Sequence, residues 1–320
     1  MFWLPILYRL TDKIFPLSLK LRGISPDKNI RCSMRKLKEF IVEKLILICG
    51  LASIFFVVLI FLFLLKEGLA VFKTVCPNKF LFGKSWYPIS EPPQLGILPL
   101  ILGSLLVTVG AAIISIPIGV GCAVYIAEIA PLKIKEVLKA GIELLAAIPS
   151  VVLGFIGMVT LVPLVKAVFH LPTGLTALSG SIILAFMAMP TIVSIAEDAL
   201  YSVPKTYKEG ALALGATHWQ TIWRVMLPAA SSGILAAVML GIGRVIGETM
   251  AVMMITGNAA VMPNSILAPV RTLTATIAAE MGEAVVGAEH YFALFAIGIV
   301  LFVISFAINV TADLFLHKRQ

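Results

Sequence analysis

Apolar residues are concentrated in six long stretches of the chain, separated by segments that carry most of the charged residues. A transmembrane helix needs about 20 consecutive apolar residues, and each stretch is long enough to meet that requirement. The six predicted spans lie near residues 45–65, 97–127, 140–166, 176–196, 229–256 and 291–314. The pattern predicts an all-α integral membrane protein with a membrane domain at 45–316, an N-terminal segment at 1–44 and a short tail at 317–320.

Composition supports the membrane prediction, because 60% of the residues are hydrophobic and only 13% are charged. Soluble domains carry about 25% charged residues. These values exclude a soluble enzyme, a disordered chain and an ordinary nucleic-acid binder. The net charge is +8, but 10 of the 25 Lys and Arg residues lie in residues 1–44. Such clustering before the first span is typical of a topology signal rather than of a nucleic-acid interface.

The basic residues also predict the orientation. If the N-terminus is cytoplasmic, 18 Lys and Arg residues fall in cytoplasmic segments and 6 in external segments, with Arg244 inside the fifth stretch. Cytoplasmic loops of membrane proteins are enriched in these residues. The sequence therefore predicts a multi-pass protein of the cytoplasmic (inner) membrane with both termini in the cytoplasm.

The most informative polar segment is the predicted cytoplasmic loop at 201–228. Its residues predict two short helices at an angle, the first capped by Ser202 with Pro204 in its first turn. Gly215 would end that helix, because glycine accepts the left-handed conformation of a sharp turn. Thr217 and Gln220 then have the spacing of a capping box. An ordinary interfacial loop remains an alternative interpretation.

The fifth stretch contains a charged pair, Arg244 and Glu248, between two glycines, Gly243 and Gly247. Each charge costs about 2.5–3.5 kcal/mol at the centre of a membrane helix, so such residues usually face a cavity or each other. Residues four apart share a helix face, and the glycine spacing allows another helix to approach. A guanidinium suits an oxyanion, and the carboxylate would hold the guanidinium or accept a proton from the anion. A buried ion pair that only joins helices is the alternative.

No motif points to chemistry on this chain. The nearest approach to a nucleotide-binding P-loop is Gly83-Lys84-Ser85, but Asn78 stands where the pattern needs glycine. The four cysteines form no CxxC pair and the four histidines are scattered, so neither a metal site nor a disulfide framework is expected. We expect no catalytic residue, no metal and no cofactor bound by this chain.

The 201–228 loop resembles the EAA loop of ABC-importer permeases, which couples the permease to an ATPase. Gly210 replaces the first alanine of that motif, and Val225 stands at its isoleucine position. The residues assigned to the coupling loop by this resemblance are Glu209, Gly210, Ala211, Gly215, Leu227 and Pro228.

The segment from Gly243 to Thr249 resembles helix five of phosphate-importer permeases of the PstC type. Two further stretches, 146–155 and 103–119, resemble other parts of that family, and the likeness covers roughly residues 40–315. The resemblance implies the six-helix ABC-importer permease (MetI-like) fold, with Arg244, Glu248 and Thr249 on the substrate pathway.

The same resemblance implies a set of partners. These are a second homologous permease (PstA-type), a cytoplasmic ATPase dimer (PstB-type) that binds ATP and Mg²⁺, and an extracytoplasmic phosphate-binding protein (PstS-type). The expected function is permease subunit of an ATP-driven phosphate importer. The alternatives are an ABC permease for molybdate or sulfate, a proton-coupled secondary anion transporter and, with less support, a membrane-embedded enzyme.

Overall fold

The computed structural model describes residues 28–317 and is mostly helical. The helices in chain order are α1 (Lys28–Gly68), α2 (Pro77–Phe82), α3 (Leu98–Val124), α4 (Leu132–Ala147), α5 (Ser150–Ile156), α6 (Val162–Val168), α7 (Ala177–Tyr201), α8 (Lys205–Ala213), α9 (His218–Thr221), α10 (Leu227–Ala229), α11 (Ser231–Ile246), α12 (Met250–Ile255), α13 (Leu273–Glu280) and α14 (Glu289–His317). A 3₁₀ turn, Leu69–Lys73, follows α1. Turns of π-helix occupy Tyr125–Ile129, Gly157–Leu161 and Ile222–Met226.

One small sheet accompanies the helices. Strand β1 (Trp86–Tyr87) pairs antiparallel with β2 (Gln94–Leu95), and Trp86 lies opposite Leu95. Each strand has only two residues, so the fold remains that of an all-α protein.

Among the described residues, five helices are long and apolar enough to cross a membrane. They are Val42–Lys73, Leu98–Ile129, Ser150–Val168, Ala177–Tyr201 and Glu289–Thr311. A sixth span is obtained if His218–Ala229 and Ser231–Ile246, which are bent by 70° at their junction, count as one. This architecture confirms the predicted all-α membrane protein.

The predicted N-terminal segment at 1–44 lies only partly within the described residues. Its residues 1–27 are outside them, as are residues 318–320 of the predicted tail. From Lys28 onward the segment is helical and continues without a break as α1.

The chain divides into two compact units, Met1–Phe63 and Leu64–Gln320. The described part of the first unit is helical, and its apolar side chains from Leu45 to Leu62 are largely exposed. Exposed apolar side chains along a long helix suit a lipid environment. The remaining helices and the sheet belong to the second unit.

In the second unit, α7 packs along both α3 and α11. Ile192 of α7 is completely buried. A Cβ atom added to Gly119 of α3 would lie 2.8 Å from Ile192 Cγ2, and one added to Gly241 of α11 would lie 2.5 Å from Ile192 Cγ1. The glycines thus let two helices approach one isoleucine, which is the close packing that small residues permit in membranes.

The third predicted span, 140–166, is wrong at its start. Helix α4 ends at Ala147, and both Ile148 and Pro149 have extended backbone angles before α5 begins. A proline disfavours helical geometry in the residue before it, which explains the break. The apolar span is therefore Ser150–Val168, while α4 is a separate amphipathic helix without a buried residue.

Candidate transport site and coupling loop

The fifth predicted span, 229–256, is not one helix. Helix α11 ends at Ile246 and α12 begins at Met250. Gly247 is a weak helix former, and the carboxylate of Glu248 accepts a hydrogen bond from the backbone N–H of Ala251 at 3.4 Å. Negative charge is favourable at a helix N-terminus, so Glu248 belongs to the start of α12 rather than to α11.

Arg244 lies in the last turn of α11 and is exposed. Its Nη1 donates a long hydrogen bond of 3.4 Å to Thr191 Oγ1 on α7. Among the described residues no carboxylate lies within ion-pair distance of this guanidinium. Arginine has five N–H donors, and most of those on Arg244 have no protein acceptor in the described part of the chain.

The predicted side-by-side arrangement of Arg244 and Glu248 is therefore wrong. The prediction assumed a continuous helix, in which residues four apart share a face. The helix instead ends between the two, and no ion pair joins them within residues 28–317. The alternative interpretation, a buried pair that only joins helices, also lacks its contact here.

Thr249 is half-buried in the elbow between α11 and α12, and its hydroxyl donates to the carbonyl of Gly247 at 3.3 Å. The carbonyl of Glu248 accepts a hydrogen bond of 2.9 Å from Thr274 Oγ1 on α13. The elbow is thus fixed by a contact from a helix that follows much later in the chain. The structure brings Glu248 and Thr249 together at this elbow, one turn beyond Arg244.

Within residues 28–317, the predicted packing glycines do not contact another helix. A Cβ atom on Gly243 would meet nothing within 4 Å, and one on Gly247 would meet only carbonyl oxygens of its own helix. The close approach on α11 occurs at Gly241 instead. A packing role for Gly243 and Gly247 stays a prediction, and a helix from outside the described residues would have to supply the contact.

The loop at 201–228 has the predicted two-helix form. Helix α8 is followed by Gly215 with a φ of +83°, which is the left-handed conformation that glycine accepts most easily. Thr217 caps α9, and its hydroxyl and the Gln220 side chain form both hydrogen bonds of a capping box. The predicted Ser202 cap is wrong, because Ser202 ends α7 and its hydroxyl donates to the carbonyl of Asp198.

Most of the assigned coupling-loop residues are accessible on this chain. Glu209, Gly210, Gly215 and Pro228 are exposed, while Ala211 and Leu227 are intermediate. Large apolar side chains that sequence reasoning did not single out lie beside them, and all are exposed: Tyr207, Leu212, Leu214, Trp219 and Trp223.

Trp219 and Trp223 form an edge-to-face pair with ring centroids 5.8 Å apart. They are four residues apart in a short polar segment, and that spacing was a signal for an exposed aromatic patch. Exposed apolar groups clustered on a loop are typical of a protein–protein contact.

Sequence reasoning also missed the contacts of three buried or half-buried acids. Glu280 on α13 accepts hydrogen bonds from Trp86 Nε1 at 3.0 Å and Arg271 Nη1, and lies 2.9 Å from His290 Nε2. The second and third acids are Glu128 and Glu197, each next to the loop and bound by lysine. An isolated acid at the end of an apolar stretch was the available signal, because buried acids are rare unless paired.

In the described part of the chain, no group of three His, Cys, Asp or Glu side chains could hold a metal ion. The charged side chains of the candidate transport site are Arg244 and Glu248, and both suit a non-covalent contact with a polar solute. The arrangement offers hydrogen-bond donors beside the elbow between α11 and α12.

The family model described as "binding-protein-dependent transport system inner membrane component" matches residues 115–319. The "probable ABC transporter permease protein YqgH" of Bacillus subtilis is 42% identical over 91% of this chain and 93% of its own length. The "phosphate transport system permease protein PstC" of Mesorhizobium japonicum is 37% identical over 75% of this chain and 78% of its own length.

Solved transporters share the fold. A chain of the MetNI methionine ABC transporter in an inward-facing conformation aligns with a TM-score of 0.56 at 21% identity, covering 72% of this chain and all of that one. A chain of a bacterial alginate importer aligns with a TM-score of 0.60 at 16% identity, covering 88% and 99%. The fold is thus that of MetI-like ABC permeases, as predicted. Because the family model and the relatives each cover most of the sequence, the chain belongs to the family of binding-protein-dependent transport system inner membrane components.

Proposed function

We propose that this chain is a permease subunit of an ATP-driven importer that carries inorganic phosphate across the cytoplasmic membrane. The observation that carries the proposal is the 37% identity to a phosphate transport system permease over three quarters of the chain. The guanidinium of Arg244 is accessible, and most of its donors have no acceptor among residues 28–317, which supports an anionic substrate.

In this proposal Arg244 contacts the translocating phosphate. Arginine binds phosphate oxygens through two parallel N–H groups, which gives both charge and orientation. Glu248 and Thr249 form the elbow beyond it, and the carboxylate of Glu248 disfavours a close approach of a fully ionised anion from that side. The phosphate is moved without any change in its covalent bonds.

The proposed complex contains a second, homologous permease, two copies of a cytoplasmic ATPase and an external phosphate-binding protein. ATP and Mg²⁺ are bound by the ATPase, and the 201–228 loop docks on it through Glu209, Gly210 and the neighbouring exposed apolar side chains. Closure of the ATPases then moves the loop and changes the accessibility of the pathway, a ligand-driven switch between two states. Both termini lie in the cytoplasm.

Uptake by the reconstituted complex tests the proposal and separates its rivals. We expect radiolabelled phosphate to enter vesicles only when ATP is supplied to the ATPase side together with the binding protein. Preferential uptake of molybdate or sulfate would identify another oxyanion as the substrate. Phosphate uptake driven by a proton gradient without ATP would identify a secondary transporter.

The role of Arg244 is tested by Arg244→Gln. Charge-assisted hydrogen bonds contribute about 1.5–3 kcal/mol, so uptake at low phosphate should fall at least about tenfold. The complex should remain assembled, because no carboxylate of the described residues pairs with Arg244 and would be left unpaired. Glu248→Gln is the control for loss of charge at this site, and the double variant should be no more active than Arg244→Gln. Recovery of uptake in the double variant would remove Arg244 from the pathway.

A further inference from the structure

Two acidic side chains are buried where the helices meet the 201–228 loop. The side chain of Glu128, in the π turn after α3, is 8% exposed, and that of Glu197, near the end of α7, is 5% exposed. Ionised carboxylates are almost never so deeply buried unless they are paired. Their partners therefore show which elements are held together at this end of the molecule.

Glu128 is paired with Lys208 of α8, whose Nζ lies 2.6 Å from Glu128 Oε2. Glu197 is paired with two lysines of α4, Lys135 at 3.0 Å and Lys139 at 3.3 Å. The two lysines are one helical turn apart, so both reach the same carboxylate. We call these five residues the charge clamp.

The ion pairs of the charge clamp connect helices that are not consecutive in the chain. The backbone joins α3 to α4 through the π turn Tyr125–Ile129 and residues 130–131, and α7 to α8 through residues 202–204. The ion pairs run crosswise, from α3 to α8 and from α4 to α7. A displacement of α8 therefore acts on α7 through the chain and on α3 through the Glu128–Lys208 pair.

Lys208 and Glu209 are neighbours on α8 but face different surroundings. Successive residues of a helix point about 100° apart, since 3.6 residues make one turn. Lys208 is partly buried toward Glu128, whereas Glu209 is exposed on the loop surface. The loop can thus present Glu209 to a partner while Lys208 holds the end of α3.

An apolar cluster lies around the same helix ends. It includes Ile126 after α3, Leu200 at the end of α7 and Met226 of the loop, all buried. Apolar packing keeps these segments together but is non-directional. A short ion pair in this setting adds a directional contact whose rupture is costly, because it leaves a buried carboxylate unpaired.

We propose that the Glu128–Lys208 pair is the contact through which movement of the 201–228 loop displaces α3, with Glu197 and its two lysines holding α4 to α7 as one body. These are positioning residues and touch neither substrate nor nucleotide. The proposal rests on the proposed function, because it assumes a loop that is moved by an ATPase.

The test uses the complete complex with the variant Lys208→Met, which keeps the length of the side chain and removes its charge. Coupling between distant sites typically amounts to about 5- to 150-fold. We expect phosphate uptake to fall at least about fivefold while ATP hydrolysis falls much less, so more ATP is consumed per phosphate. Lys205→Met is the matched control, because Lys205 lies on the same helix, is exposed and makes no ion pair in the described part of the chain.

Charge exchange separates coupling from simple stability. The double variant Glu128→Lys/Lys208→Glu restores the pair in reverse, and we expect it to recover much of the lost coupling. An unchanged ratio of ATP to phosphate in Lys208→Met would overturn the proposal, whether uptake is normal or falls in parallel with the amount of intact complex.

A second measurement does not depend on the substrate. Spin labels at positions 118 on α3 and 206 on α8, both exposed, report the separation of the two helices in the assembled complex. We expect a broader distance distribution in Lys208→Met than in Lys205→Met or the unsubstituted chain, and identical distributions would refute the clamp. If the unsubstituted complex takes up no phosphate with ATP, the proposed function fails while this distance still tests the pair.

Discussion

The contact between Gly241 and Ile192 predicts that a single added methyl group destabilises the helix bundle. The Cβ atom of Gly241→Ala would lie 2.5 Å from Ile192 Cγ1 and 2.9 Å from its Cδ1, far inside normal contact distance. Overpacking of this kind costs about 1–3 kcal/mol. The opposing gain in helix propensity from glycine to alanine is about 1 kcal/mol.

Gly243→Ala is the matched control in the same helix, since its Cβ atom would meet nothing within 4 Å. It receives the same propensity gain without the clash. The free energy of unfolding of the single subunit, measured in mixed micelles by circular dichroism, should therefore be lower for Gly241→Ala than for Gly243→Ala by about 1–3 kcal/mol.

A double-mutant cycle identifies Ile192 as the cause. Ile192→Ala alone should cost about 2–5 kcal/mol, because it removes a fully buried side chain. In that background Gly241→Ala meets no obstacle, since Ile192 supplies both of its contacts below 3 Å. Equal stability of the two glycine variants, or the same cost of Gly241→Ala with and without Ile192, would refute the reasoning.

Two further predictions concern the 201–228 loop. Gly215→Val should add about 1–3 kcal/mol of local backbone strain and lower transport, because φ is +83° at this position. Gly215→Asn should lower transport less, since asparagine adopts this conformation more easily. An equal loss of transport in both variants would argue against a backbone cause. Replacing the exposed Trp219 and Trp223 by alanine should change the stability of the isolated subunit by no more than about 0.5 kcal/mol, as surface substitutions usually do. The same change should weaken co-purification of the ATPase. Undiminished co-purification would exclude the two tryptophans from the contact with the ATPase.

Local chemistry in the sequence predicted the turn of the loop correctly. The glycine at 215 and the Thr217–Gln220 capping box act over three or four residues, so their geometry depends little on the rest of the chain. The long apolar stretches likewise predicted the membrane helices, because about 20 apolar residues admit few other structures in lipid.

Helix ends inside apolar stretches were harder to predict. Apolar residues lie on both sides of Pro149 and of the segment 244–249, so the hydrophobic pattern did not show that α4 ends at Ala147 and α11 at Ile246. The expected pairing of Arg244 with Glu248 depended on helix continuity and failed with it. Which glycine of α11 makes a close contact depends on the helix that lies beside it, and here that glycine is Gly241.

Contacts between distant parts of the chain were not predictable from spacing. Glu128 and Lys208 are 80 residues apart, and only the fold brings them together. Local patterns indicate that a buried acid needs a partner, but not which lysine supplies it. The sequence therefore names individual candidate residues, whose roles stay predictions, and it does not give the contacts that connect them.

The carboxylate of Glu280 also has a consequence for biosynthesis. Trp86 donates to a side chain 194 residues later in the chain, and His290, still later, lies against the same carboxylate. At 5–20 residues per second, a ribosome needs roughly 10 to 40 s to make the intervening segment. During that interval the indole N–H of Trp86 lacks its acceptor, the carboxylate of Glu280. The contacts among Trp86, Glu280 and His290 are thus complete only after the last helix has begun to emerge, and chains that end before His290 lack part of them.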